Sequence, residues 1–155
     1  LSDWSSDVCS SDLEIAKKVL SIVSDMNTKI IYNVFMGTVI NDNNYKNIIP
    51  SPEQWLHYIN GADFVVTNSF HSTVFAILFH RRFITIPLGG YASGRNERII
   101  SLLEYLGLGN RILWDYNEIY INNIKEQIIN WDEVDRKIIK WQDNANDFLV
   151  NALTD

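Results

Sequence analysis

Residues 62–79 constrain the fold of this chain more than any other segment. Phe64-Val65-Val66-Thr67 is a short apolar, β-branched run, the pattern of a strand buried on both faces. Asn68 and Ser69 follow, residue types whose side chains accept hydrogen bonds from the orphan N–H groups of a helix start. From Phe70 onward Val74, Ile77 and Leu78 recur at helical spacing. A strand that runs straight into a capped helix puts polar side chains at the carboxyl end of a sheet, where first-turn N–H groups favour anions. His71 stands in that first turn.

Around this core, strand and helix patterns alternate. Ile15, Val19, Leu20, Ile22 and Val23 mark one face of a helix from Glu14, with Asp12 as its cap. Residues 30–34 read as a buried strand and residues 36–49, rich in Asn, as a loop. Ser51-Pro52-Glu53 is a helix start, and Gly61 suits its end. A strand is predicted over 83–86, closed by Pro87, then a glycine-rich loop over 88–94 and an amphipathic helix over 97–106 stopped at Gly107. Ile112-Leu113-Trp114 reads as a last short strand, and a helix is expected around 124–129. Val134, Ile138, Trp141, Ala145, Phe148 and Leu149 form one stripe of a final helix, expected to dock on the body along its length. The alternation implies an α/β fold, a Rossmann-like parallel sheet with helices on both faces. Residues 68–73 and 88–98 each follow a strand and should share one crevice at its carboxyl edge.

The first thirteen residues, Ser- and Asp-rich, show no amphipathic period and no signal-peptide pattern. They resemble translated adapter sequence, so residues 1–13 are set aside as a non-native or disordered leader and 14–155 taken as one domain. Cys9 is the sole cysteine, which excludes an internal disulfide and fits a cytoplasmic setting. No apolar run is long enough to form a transmembrane segment. The net charge of −6 argues against nucleic acid as a partner. Charge is uneven, however: between His71 and Arg111 five arginines (81, 82, 95, 98 and 111) meet two acids, Glu97 and Glu104. Guanidinium forks concentrated in an acidic chain point to a small anionic ligand; solvated surface arginines are the alternative.

Asp63-Phe64-Val65-Val66-Thr67-Asn68-Ser69-Phe70-His71-Ser72-Thr73 resembles the central motif of the polysaccharide pyruvyl transferase family, D-x-V-V-T-[DN]-S-F-H-G-T, with Ser72 in place of the glycine. Arg82 to Ile86, the Arg95-Asn96-Glu97-Arg98-Ile99 segment, Leu102-Leu103 and Leu106-Gly107-Leu108 extend the likeness in order. The resemblance implies a transferase of surface or exported polysaccharide (exopolysaccharide) synthesis, moving a pyruvyl group from phosphoenolpyruvate to a sugar as a ketal. Phosphoenolpyruvate is then the donor substrate, with no separate cofactor, and a saccharide the acceptor. It also implies two Rossmann-like halves arranged as in GT-B glycosyltransferases, this chain being the carboxyl-terminal half. The amino-terminal half of the same enzyme would then be missing, and the fragment alone inactive. His71 takes the catalytic role, a side chain suited to giving and taking protons near neutrality. Asn68, Ser69, Ser72, Thr73, Arg95, Asn96 and Arg98 are the candidate substrate-binding residues. Capping is the structural alternative for Ser69, Ser72 and Thr73, and a surface ion pair with Glu97 or Glu104 the alternative for Arg98. Three scattered histidines, at 57, 71 and 80, show no metal-ligand spacing, and no phosphate-binding glycine loop is present. Two other functions remain open on the residues alone: the nucleotide-sugar-binding half of a GT-B glycosyltransferase, and a non-catalytic docking module.

Overall fold

A computed structural model describes residues 2–4, 10–24, 31–35 and 39–154. Its five strands are β1 (Ser2–Trp4), β2 (Ile31–Phe35), β3 (Tyr45–Ile48), β4 (Phe64–Thr67) and β5 (Arg82–Thr85). Its helices are α1 (Ser10–Ser24), α2 (Pro52–Gly61), α3 (Phe70–Leu78), α4 (Glu97–Leu106), α5 (Glu118–Glu126) and α6 (Trp131–Thr154). The strands form one sheet in the order β3-β2-β1-β4-β5, and every pairing is parallel. The order reverses direction at β1/β4, the position where parallel α/β sheets open a crevice beyond their strand ends.

Strand alternation divides the core between two faces. Val66 and Ile84 pack with α1 and α5 through Val19, Leu20, Ile121 and Ile124. Val65 and Phe83, one residue earlier in each strand, pack with α2, α3, α4 and α6 through Ile59, Ala76, Ile77, Ile99, Leu103 and Val134. Successive side chains of a strand point to opposite faces, so an uninterrupted apolar run is what a doubly covered strand requires. The sheet is therefore Rossmann-like with helices on both sides.

Several boundaries differ from those expected. Ser2–Trp4 and the start of α1 at Ser10 fall in the stretch set aside as a loose leader, yet β1 is hydrogen-bonded between β2 and β4. Asp12 consequently lies inside α1 rather than capping it. The first predicted strand runs one residue later, from Ile31, its first expected residue lying outside the described ones. Residues 45–48, read as loop, form edge strand β3, where Asn47 clips the Ile40 backbone with bonds of 3.0 and 2.9 Å. Ile112 makes only an isolated parallel bridge to Thr85 rather than a strand. The final helix departs furthest. Val134 is buried and Ile138 half-buried, but every described side chain from Trp141 to Leu153 is exposed, with Phe148 71 % accessible. Twenty-four residues outrun the surface beneath them, so the stripe docks only at its root.

That root is gripped by the end of α3. His80 adopts φ 54°, the left-handed conformation, while Arg81 N–H donates to Ala76 O (2.7 Å) and His80 N–H to Ile77 O (3.0 Å). These two bonds close the helix as a Schellman motif. The His80 ring stacks on Trp131 at 4.9 Å and 17°, and its Nε2 lies 3.0 Å from Asp135 Oδ1.

Candidate functional site

The turn between β4 and α3 consists of Asn68 and Ser69 alone. Thr67 Oγ1 accepts from Ser69 N–H (3.0 Å), and Ser69 Oγ accepts from Ser72 N–H (3.4 Å), closing the first turn of α3. Ser69 carbonyl oxygen accepts from both Thr73 N–H (3.0 Å) and Thr73 Oγ1 (2.9 Å). Thr73 Oγ1 also lies 3.0 Å from Thr85 Oγ1, which ties α3 to β5. Ser72 and Thr73 are fully buried. Of the residues proposed to bind substrate, Ser69 and Thr73 thus serve the turn itself, and Ser72 is enclosed within it. The N–H groups of Phe70 and His71 precede any carbonyl of their own helix that could accept from them.

Asn68 is different. It is 2 % exposed, and neither Oδ1 nor Nδ2 has a hydrogen-bond partner among the described residues. Leaving a buried amide unpaired costs about 1–3 kcal/mol. A group held at that cost where the strand order reverses is one that a ligand can satisfy.

His71 is exposed, and its ring meets Phe70 edge-on at 5.8 Å. The other face of the story is Arg98, whose guanidinium lies 5.1 Å from the Phe70 ring centroid. Phe70 therefore stands between the imidazole of α3 and the guanidinium of α4. No carboxylate pairs with Arg98 among the described residues, so neither Glu97 nor Glu104 neutralises it. Phe70 was not among the residues expected at the site, although it stands beside His71 within the quoted motif.

The connection after β5 carries the remaining candidates. Asn96 is buried, its Oδ1 accepts from Leu88 N–H (2.9 Å) and its Nδ2 donates to Leu88 O (2.9 Å). Expected to touch substrate, Asn96 is here engaged through both amide atoms in pinning the loop. Arg95 is exposed at the end of the 3-10 turn Gly90–Arg95. The other arginines of the basic segment are committed to structure. Arg111, 1 % exposed, donates from Nη1 to Ile124 O and from Nη2 to Gln127 O, both at 3.0 Å, at the carboxyl end of α5. Burial holds its pKa below the ordinary arginine value, while the helix-end carbonyls favour the cation. Arg81 donates to Asn60 Oδ1 and Arg82 to Lys125 O. His57 is exposed on α2 and His80 serves α6, so His71 alone of the three histidines stands at this edge.

No group of three or more potential metal ligands is present among the described residues, and no described helix is long and apolar enough to cross a membrane. The family model for polysaccharide pyruvyl transferases matches residues 6–89, more than half of the chain. No curated protein matches the chain significantly. The matched span takes in Asn68 and His71 and stops before Arg95, Asn96 and Arg98. The chain belongs to the polysaccharide pyruvyl transferase family.

Proposed function

We propose that this family member binds phosphoenolpyruvate at the β4–α3 turn and transfers its pyruvyl group to two hydroxyls of one sugar as a cyclic ketal. The observation that carries this reading is the exposed His71 one turn from a buried, unpartnered Asn68 amide, with the Arg98 cation across Phe70. In this reading the first-turn N–H groups of α3 and Arg98 meet the donor's phosphate and carboxylate, charges that a helix start and a guanidinium fork favour. Asn68 supplies a neutral donor–acceptor pair to the same ligand.

His71 delivers a proton to the methylene carbon, which becomes the methyl group and leaves an electron-poor carbon for attack. Two sugar hydroxyls add there, and the phosphate departs as the C–O bond to it breaks. Of the two hydroxyl protons, one restores the imidazolium of His71 and the other leaves with phosphate, so the residue ends as it began. This chain is the carboxyl-terminal half of a cytoplasmic enzyme of two GT-B-like halves.

Donor affinity tests the reading. In calorimetric titration phosphoenolpyruvate should bind this chain, Asn68→Leu should abolish that binding, and UDP-glucose should not compete. Binding of UDP-glucose with no binding of phosphoenolpyruvate would replace this reading with a nucleotide-sugar site.

A further inference from the structure

A groove of about 540 Å³ begins beside the candidate site and runs along the outer face of α4. Its walls are Phe70, Arg98, Ser101, Leu102, Tyr105 and Trp141. Residues 101, 102 and 105 follow residue 98 by three, four and seven positions, so the four share one helix face by construction. That volume lies within the range of small-ligand sites, about 300–1,000 Å³. Two large aromatic rings stand open to it: Tyr105 is 43 % and Trp141 52 % exposed, with centroids 5.3 Å apart and planes at 51°. The Tyr105 ring is held in place from behind. Tyr105 Oη donates to Lys137 O (3.2 Å), and Lys137 Nζ donates to Leu106 O (3.1 Å) while pairing with Glu133 (3.0 Å). The platform therefore exists without a ligand.

We infer that this groove is the acceptor-glycan subsite, taking a pyranose ring against Tyr105 and Trp141. The inference rests on the transferase reading above and adds where the saccharide lies. Pyranose rings present an apolar C–H face and a polar hydroxyl edge. The groove offers the matching surfaces: aromatic faces and Leu102 for the C–H side, and Ser101 and Glu97 at the rim for the hydroxyls. Its near end is Phe70, the residue before His71, so a glycan lying along α4 brings its end sugar to the imidazole. A purely apolar partner would leave Glu97 and Ser101 unmatched; a polyhydroxylated one uses them.

The Trp141 indole N–H reports occupancy by NMR, once its resonance among the five tryptophans is assigned with Trp141→Phe. Methyl glycosides of glucose, galactose, mannose and N-acetylglucosamine are titrated into the full chain. At least one should shift the Trp141 resonance. Ser101→Phe, which fills the groove from an exposed position, should weaken that glycoside about tenfold or more, with phosphoenolpyruvate affinity unchanged. The inference is overturned if none of the glycosides shifts the resonance, or if Ser101→Phe leaves glycoside affinity intact. It is equally overturned if the chain self-associates in sedimentation and Ser101→Phe makes it monomeric, because a second copy then fills the groove. The two readings fail separately: glycoside binding without phosphoenolpyruvate binding sinks only the donor assignment, and the reverse sinks only the groove.

Discussion

Between β4 and α3 the chain turns in two residues, Asn68 and Ser69; between β5 and α4 it takes eleven, residues 86–96. The short turn is held by its own side chains, with Thr67, Ser69, Ser72 and Thr73 bonded among themselves. The long one runs from an Ile86 N–H bond to Thr67 O (2.8 Å), through a 3-10 turn, to the Asn96 amide clipped on Leu88, with its side-chain clip spanning eight residues rather than two to four. Density of local bonding goes with precision, so the short turn suits a proton-transferring group that must stand within hydrogen-bond reach of a reacting atom. The long one suits a cation, whose attraction to an anion falls off slowly with distance. On the proposed reading the contrast goes with His71 in the chemistry and Arg98 in binding.

The largest effect expected from breaking this contrast is kinetic. In the enzyme assembled with its amino-terminal half, His71→Asn should lower turnover by about two to four orders of magnitude, with the donor's Kd nearly unchanged. Intact turnover with a lost melting transition would make His71 a structural residue and remove the distinction.

Next come the two variants of the long connection, which should part company. Arg98→Ala should weaken phosphoenolpyruvate binding by roughly 1.5–3 kcal/mol, the worth of a charge-assisted contact, and leave the melting temperature in place. Asn96→Ala should do the opposite first, lowering unfolding free energy by about 1–3 kcal/mol because it orphans the buried N–H and C=O of Leu88. If denaturant titration finds Asn96→Ala as stable as the parent, the loop is not held by that clip.

The smallest effect compares caps. Ser51 at α2 belongs to a complete capping box, with Gln54 N–H to Ser51 Oγ at 3.3 Å and Ser51 N–H to Gln54 Oε1 at 2.9 Å; Ser69 has one bond of 3.4 Å. Ser51→Ala should therefore cost about 1 kcal/mol and Ser69→Ala less. They should differ in acid too. The Ser51 hydroxyl donates to Glu53 and holds its carboxyl below the usual value. A carboxyl whose pKa is lower folded than unfolded adds stability above the unfolded value, and loses it as pH falls through the folded one. Melting curves at neutral and acidic pH should show that part of the acid dependence gone in Ser51→Ala and kept in Ser69→Ala.

How much of this was legible in the sequence follows from where each signal resides. The bounds of β4 and α4 could be read directly, since a doubly buried strand is a continuous apolar run and Gly107, at φ 76°, stops α4 in the left-handed conformation. Strand β3 was hidden because Tyr45-Lys46-Asn47-Ile48 sits at a sheet edge amid asparagines, where little burial is needed. The stripe of α6 was visible, but periodicity reports an apolar face and not whether anything lies beneath it. Asn96 beside Arg95 reads as a ligand pair because the loop partner its amide holds, Leu88, is eight residues away and contributes only backbone. Asn68 and His71 were singled out because cap chemistry is local; the unpaired state of the Asn68 amide is not local, and no pattern announces it.

The end of α3 leaves position 80 under two conflicting demands. The backbone at φ 54° would be most at ease with glycine, or next with asparagine. The side chain must meanwhile lie flat against Trp131 and reach Asp135, which glycine cannot do. Glycine would relax the turn and release α6; alanine would satisfy neither demand. Among the alternatives, asparagine keeps both the permitted backbone and a polar reach, at the loss of the stacked ring. Tolerance at this position is thus inverted relative to an ordinary helix stop: the residue that suits the backbone best is among the worst for the molecule, and sequence change there is narrowed to a few polar or aromatic side chains that accept the left-handed turn.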